Sequence, residues 1–585
     1  MKKLRRTLDN LLFLLRPSLK YGKALILLML IQQTLPTLTG SLVGVATPKV
    51  AIDGLMNGAP PLQIILRVGL LILAELAVGI VTNLLSLRVS IRSTEFQLMF
   101  TKLVLQQSIA TDYRFLDKPE YFAKFQLASQ QYSNGVSSIF NTFTQVLGSL
   151  LTCSALFAVI AVLGPWVVLI VVVGTVAQVL VSLRDVKINT ELNRESMEAS
   201  RGVSYGARML NERQYAADMK VSSMGQYVLG WVDSYIQWNK QLLVRFFKPR
   251  TFTTLLSNVL RHLTTLGTIA YVVVGISSGK IGSVGDYAAL IAASTTLSSQ
   301  LSSLFGLVSG MAQSSAQAEQ ARELFELPNV IEPSTGDPVP AGPLSLEFKD
   351  VSFAYPESDF CLKSLNLKIL PGEKIGIVGE NGVGKSTMAK LLLRLYDVSG
   401  GEVLYNGRPI TEWDVHDLRK HVGIAFQDAN LYALTLRENL QYYNPDATDE
   451  QRLKALKAVG LERLDDLEKN VSREFMGDGI MLSGGETQKL ALARLLMDEF
   501  GLMILDDPSS ALDPIAEYKK TKLMFDLSNT TTIMIAHRLS TIRDADRIYL
   551  IADGCVAEQG THEELMKRNG KYAEMFRRQA ENYTK

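Results

Sequence analysis

The residues Gly379, Glu380, Asn381, Gly382, Val383, Gly384, Lys385 and Ser386 follow the pattern G-x-x-x-x-G-K-[ST], and Thr387 comes next. These types at this spacing suit the holding of a nucleotide's phosphates. Glycines let backbone N–H groups close around phosphate oxygens, and the N-terminus of a following helix attracts the same negative charge. Lys385 reaches the terminal phosphates, and the Ser386 hydroxyl coordinates Mg2+. Residues 374–378 before the loop read as a strand and the run after it as a helix, the context this motif requires. Further on, apolar residues 502–505 read as a buried parallel strand ending in Asp506 and Asp507. Asp506 stands where a carboxylate would hold the metal, directly or through water.

A site of this kind needs a sheet behind it, and from residue 346 onward short apolar runs alternate with polar turns. The preceding half is different. Crossing a bilayer takes about 20 apolar residues as a helix. Six stretches qualify: 24–46, 62–87, 143–163, 166–183, 255–276 and 287–311, the last being the least apolar. The expected fold class is therefore a polytopic α-helical membrane domain of six transmembrane helices followed by an α/β P-loop nucleotide-binding domain. The boundaries are 1–320 for the membrane domain with its helix extensions, 321–345 for a linker rich in Pro, Gly and Ser, and 346–585 for the nucleotide-binding domain.

Basic residues set the orientation. Lys2, Lys3, Arg5 and Arg6 precede the first span, and segments 88–142 and 184–250 are rich in Arg and Lys, whereas the other loops are short and nearly uncharged. The N-terminus, the C-terminus and the nucleotide-binding domain are thus expected in the cytoplasm of a multi-pass cell-membrane protein. The N-terminal stretch lacks a small-residue cleavage site and reads as an amphipathic surface helix rather than a cleaved signal. With 585 residues and a net charge of +2, nothing argues for nucleic acid. Cys153, Cys361 and Cys555 are too scattered for a disulfide framework or a metal cluster.

Leu482, Ser483, Gly484, Gly485 and Glu486 precede the strand-end aspartates, and this run resembles the LSGGQ signature of ATP-binding cassette proteins. Other positions are similar to that family in order. Tyr355 resembles its adenine-stacking aromatic residue. Gln427 resembles the glutamine that binds Mg2+ and senses the membrane domain. Ser510, Ala511, Leu512 and Asp513 resemble the D-loop, and His537 the switch histidine on the γ-phosphate. Taken with the six spans, the chain resembles a half-transporter of the type IV exporter fold, the multidrug, lipid and peptide exporter group. The resemblance implies ATP and Mg2+ as cofactors and a dimer. It places ATP between one subunit's P-loop and its partner's signature, with coupling helices near 113–122 and 215–227. Each mark also has a plain structural reading; Ser483, for example, is a good N-cap type.

Two positions depart from the family. Asp507 replaces the usual glutamate that orients the attacking water, which implies slow hydrolysis at this chain's own site. Glu486 replaces a glutamine and is expected to change little. A weakened site beside an intact signature favours a heterodimer with an unlike second half-transporter, with a homodimer of two slow sites as the alternative. The expected function is export of an amphipathic small molecule, lipid or peptide. A membrane-bound ATP-binding regulator, and an importer on the exporter fold, are the rival readings. No N-terminal peptidase domain precedes the spans, so leader-peptide processing in cis is not expected. Within the membrane, Glu75, Arg261 and His262 lie deep in their spans. They read either as the border of a translocation cavity, with Glu75 and Arg261 paired across it, or as structural groups, with Arg261 near the cytoplasmic interface if its helix tilts. Gln32, Gln33, Gln145 and Gln178 are read as interhelical hydrogen-bonding groups.

Overall fold

The computed structural model describes residues 9–10, 12–13, 23–277, 283–332, 335–356, 361–473, 477–508, 522–526 and 530–581. The chain divides into two compact units. One comprises Met1–Ile109 with Phe122–Leu327, and the other comprises Ala110–Tyr121 with Pro328–Lys585.

The first unit is built from helices. They are α1 (Lys23–Met56), α2 (Pro61–Ile109), α4 (Pro119–Leu163), α5 (Pro165–Asn211), α6 (Arg213–Val221), α7 (Met224–Ser277) and α8 (Val284–Phe325). The short α3 (Tyr113–Leu116) lies between α2 and α4 in sequence but falls in the second unit. Helices α3 and α6 fall in the stretches where short cytoplasmic helices are expected. Among the described residues four helices are long and apolar enough to cross a membrane: Ala24–Met56, Pro61–Ile109, Asn141–Leu163 and Trp166–Asn211. The fifth and sixth expected spans lie in α7 and α8 and are not among the four. Arg261 and His262 dilute the first run, and Ser294, Thr295, Thr296, Ser298, Ser299 and Ser302 the second.

Helix α2 exposes Leu66, Leu70, Leu73, Leu76, Ile80 and Leu84, which suits a helix surrounded by hydrocarbon rather than water. The protein-facing sides meet in a core that includes Leu156, Ile160, Val167, Val171, Ala293 and Leu297. Gln178 joins α5 to α8: its Nε2 donates to Ser298 Oγ at 3.4 Å and its Oε1 accepts from Ser302 Oγ at 2.8 Å. Helices α5 and α7 approach closely. A Cβ added at Gly174 would lie 2.0 Å from Thr264 Oγ1, and one at Gly206 would lie 2.2 Å from Val232 Cγ2.

The second unit holds two sheets. Strands β1 (Leu346–Ala354), β2 (Cys361–Ile369), β4 (Gly400–Tyr405) and β5 (Arg408–Pro409) form an antiparallel sheet in the order β2-β1-β4-β5. The other sheet has six strands in the order β10-β9-β3-β8-β7-β6. They are β3 (Lys374–Gly379), β6 (Val422–Ala425), β7 (Leu502–Asp506), β8 (Thr531–Ile535), β9 (Arg547–Ala552) and β10 (Cys555–Gly560). All pairs are parallel except β9 with β10. Because successive side chains point to opposite faces, the central strands feed two cores. Ile375, Ile377, Ile504 and Ile533 pack with Phe348 and Leu365 of the antiparallel sheet. Val378, Met503, Leu505 and Met534 face a second core that contains Leu490 and Leu492.

This unit also has helices α9 (Lys385–Leu392), α10 (Val415–Lys420), α11 (Leu436–Leu440), α12 (Asp449–Ala458), α13 (Gly484–Leu495), α14 (His562–Arg568) and α15 (Lys571–Glu581), a helical stretch at residues 522–525 and two short 3-10 turns. Segment Ala110–Tyr121 is pinned by Asp112. Its carboxylate is fully buried and accepts the N–H groups of Val330, Ile331 and Glu332 at 2.8, 3.1 and 2.9 Å.

Candidate nucleotide site

The parallel strands β3, β6, β7 and β8 end on one edge of their sheet, the edge where open α/β sheets bind ligands. Gly379 ends β3 where β9 comes close; a Cβ there would meet Ile551 O at 2.3 Å. Gly384 has φ +100°, a left-handed conformation that turns the chain into α9 without a side-chain cap. The first N–H groups of α9 are thereby left to an anion. Lys385 is buried, and its Nζ donates to Gly379 O at 2.9 Å and Glu380 O at 2.8 Å. Burial draws its ammonium below the ordinary lysine value, and the charges of Asp506 and Asp507 partly oppose this. Val383 packs into the core beneath the loop, while Asn381 and Gly382 form the loop's outer turn.

Ser386, in the first turn of α9, donates its hydroxyl to Asp506 Oδ1 at 3.2 Å. Burial pushes the Asp506 carboxyl above the usual carboxylate range, against the Ser386 hydrogen bond; Asp507 pushes the same way, and His537 and Lys385 resist. A hydroxyl and a carboxylate oxygen from two elements thus meet at one point, a donor set suited to a hard divalent cation. Gln427 stands exposed just beyond β6, the neighbour of β7, and makes no hydrogen bond with Ser386 or Asp506 among the described residues.

Asp507 is buried with φ +44°, and its N–H donates to Ile535 O at 2.9 Å. That bond ties the turn after β7 to the end of β8, from which His537 follows half-buried. Tyr355 sits after β1. Its hydroxyl is 3.1 Å from Thr387 Oγ1, its ring lies edge-on to Tyr396 at 5.3 Å, and Lys390 Nζ is 5.4 Å from the ring centre. This cluster extends through Tyr396, whose hydroxyl donates to Asp117 at 2.6 Å, and through Lys390, 3.3 Å from the same carboxylate. Asp117 comes from a position far in sequence from Lys390 and Tyr396, and no local motif marks their meeting.

Ser483 caps α13, and Glu486 folds back onto it. The Glu486 Oε2 accepts both the Ser483 N–H and its hydroxyl at 2.9 Å, while Oε1 accepts from Arg463 Nε at 2.9 Å. Ser483 and a glutamate three residues later are a capping box, so the signature's serine and its substituted fifth residue form one unit. The Ser483 N–H, the Arg463 hydrogen bond and the Ser483 hydroxyl bring the Glu486 pKa down to about 2. Leu482 packs against the helical core, and Gly484 and Gly485 open α13. Ser510, Ala511, Leu512 and Asp513 lie outside the described residues.

In the membrane unit, Glu75 and Arg261 do not pair within one chain. Glu75 Oε1 lies against α1, 3.3 Å from where a Gly40 Cβ would be, and Arg261 Nη2 donates to Asn258 Oδ1 at 3.0 Å on its own helix. An apolar cavity of about 530 Å³ is lined by Cys153, Phe157, Thr175, Val179, Leu297 and Leu301, and Glu75, Arg261 and His262 are not part of its wall.

Residues 362–510 match the family model for the ABC transporter domain. The chain is 32% identical over 393 residues to the beta-(1→2)glucan export ATP-binding/permease protein NdvA of Rhodopseudomonas palustris (strain BisB5), covering 64% of this chain and 65% of that protein. It is 36% identical over 300 residues to the ATP-dependent lipid A-core flippase of Alkalilimnicola ehrlichii, covering 50% of this chain and 51% of that one. The same flippase from Escherichia coli K12 is 34% identical over 265 residues, covering 45% and 44%. The matched region thus spans between under half and about two thirds of these curated relatives. The solved structure of a bacterial Atm1-family ABC exporter with ATP bound superposes with a TM-score of 0.80 at 25% identity, covering 97% of this chain and 98% of that one. This chain is a multi-pass membrane protein that carries a cytoplasmic ABC transporter domain at residues 362–510 and shares the fold of the Atm1-family exporter.

Proposed function

We propose that this chain is one subunit of a dimeric, ATP-driven exporter. The observation that carries the reading is the convergence of Lys385, Ser386, Asp506, Asp507 and His537 on one sheet edge of a chain that also has four helices long and apolar enough to cross a membrane among its described residues. The N–H groups of loop 379–384 and Lys385 hold the phosphates, and Tyr355 stacks on the base. Ser386, Asp506 and Gln427 would hold Mg2+, which neutralises phosphate charge. Asp507 orients the attacking water, and His537 contacts the terminal phosphate. Ser483, Gly484 and Gly485 act on nucleotide bound by the partner. The membrane unit crosses the bilayer six times, with α7 and α8 contributing the last two spans, and the domain boundaries follow residues 1–320, 321–345 and 346–585.

Asp507 supports a slow site, because its backbone is fixed at both β7 and Ile535 and cannot advance to replace the missing methylene. With the signature serine kept, the partner is an unlike half-transporter carrying the faster site. The retained Gln427 and His537 favour a second reading, a homodimer of two slow sites. The cargo is an amphipathic small molecule, lipid or peptide. Support comes from the lipid A-core flippases among the relatives and from the apolar lining around Thr175 and Cys153. Reconstitution in vesicles tests this. ATP-dependent loading of a fluorescent lipid or amphiphile, abolished by Lys385→Ala, is expected. ATP binding with no transport of any amphiphile, with or without a co-expressed second half-transporter, would refute it.

A further inference from the structure

The helix α15 reaches two loops of the nucleotide site from outside. At its start Lys571 Nζ lies 3.4 Å from Glu380 Oε1 in the phosphate loop. About two turns later, Gln579 meets the loop that carries His537. The β8 backbone is held in the sheet as far as Ala536, whose N–H donates to Ile377 O at 3.1 Å. The chain then leaves the sheet, and regular bonding resumes at the 3-10 turn Leu539–Ile542. Gln579 spans the interval. Its Nε2 donates to His537 O at 2.8 Å and its Oε1 accepts the Leu539 N–H at 2.9 Å.

One side-chain amide therefore brackets the peptides on both sides of Arg538. A single planar group that both gives and takes a hydrogen bond is needed, which a carboxylate cannot supply. Because one partner is a carbonyl and the other an N–H, a single orientation of the amide satisfies both. The support is itself anchored. The N–H groups of Lys571 and Tyr572 donate to Glu558, and the wholly buried Tyr572 places its hydroxyl 2.8 Å from His562 Nδ1.

We infer that Gln579 is a positioning residue for His537, setting the height of the switch loop over the terminal phosphate through the two peptides it brackets. The inference rests on the ATP-hydrolysing reading above. It is tested in the full-length chain with Gln579→Glu, which keeps the shape and loses the donor, and with Gln579→Ala. The probes are TNP-ATP for affinity and radiolabelled ATP for single-turnover hydrolysis, each in the native and His537→Ala backgrounds. Affinity is expected to stay within about twofold while the turnover rate falls on the order of tenfold, since a displacement near 1 Å is costly at a reacting centre. In the His537→Ala background no further fall is expected, because residues acting as a unit are not additive. Hydrogen exchange at the Leu539 amide should accelerate while β8 stays protected.

An unchanged turnover rate, an equal loss in both backgrounds, or unchanged exchange at Leu539 would each overturn the inference. If the native chain binds no TNP-ATP, the nucleotide reading itself fails, and the Leu539 exchange still decides whether the bracket exists.

Discussion

Replacing Asp507 with glutamate should speed hydrolysis at the site proposed above to be slow. The main chain at Asp507 is fixed by β7 on one side and by its N–H bond to Ile535 O on the other. The added methylene therefore moves the carboxylate forward rather than moving the loop. The advance is roughly 1 Å, and a misplacement of that size costs on the order of 10²-fold in rate, which corresponds to about 2.7 kcal/mol of barrier. Nucleotide binding should not change, because Lys385, Ser386 and Asp506 are untouched. The assay is single-turnover ATP hydrolysis by the purified chain, alone and with a co-expressed second half-transporter, beside TNP-ATP affinity. A rise of about 100-fold at constant affinity is expected. If the native chain alone turns over briskly and Asp507→Glu adds less than about threefold, the geometric account of slow hydrolysis is wrong.

Other positions give sharp expectations. Asp112→Asn swaps one acceptor oxygen of a fully buried carboxylate for an N–H2 group that cannot receive its backbone donor. The cost should be about 2–3 kcal/mol, read as faster hydrogen exchange at Val330–Glu332 and a lowered Tm, with Asp112→Ala costing more. Glu486 has its pKa lowered from 4.5 to about 2, so the stability it lends is present above pH 4.5 and lost as the pH falls toward 2. Glu486→Gln keeps the capping box and removes the charge; the acid limb of the unfolding profile should flatten in that window. Gln178→Leu removes both side-chain hydrogen bonds between α5 and α8, leaving Ser302 Oγ its bond to Ser298 O, and should lower detergent stability by about 1 kcal/mol.

The phosphate loop was legible because its chemistry is local: eight consecutive residues carry both the geometry and the charge. The membrane helices were legible because hydrocarbon imposes a composition, although the hydroxyls of α8 and Arg261 of α7 blur that signal. What the chain joins across long separations was not legible. Asp112 with Val330, Tyr396 with Asp117, and Gln579 with His537 carry no shared spacing. The Ser483–Glu486 contact lies within reach of the sequence, since S-x-x-E is a capping box. Glu75 and Arg261 show a different limit. Depth along a helix follows from counting, but the side each residue faces depends on how the helix is rotated by its neighbours, and here Glu75 turns to Gly40 and Arg261 to Asn258.

The close seam between α5 and α7 has a mechanical meaning. The Thr264 and Val232 side chains of α7 pack against the bare backbone of α5 at Gly174 and Gly206, which leaves no space for one rod to slip on the other. Two rods clamped along their length bend as one beam, stiffer than the pair taken separately. The 47 residues of α5 make that beam about 70 Å long. Helix α6 connects the two in sequence, so it forms the tip of a single lever. A small push at the tip reaches the far end of the beam without being spent as sliding between its members.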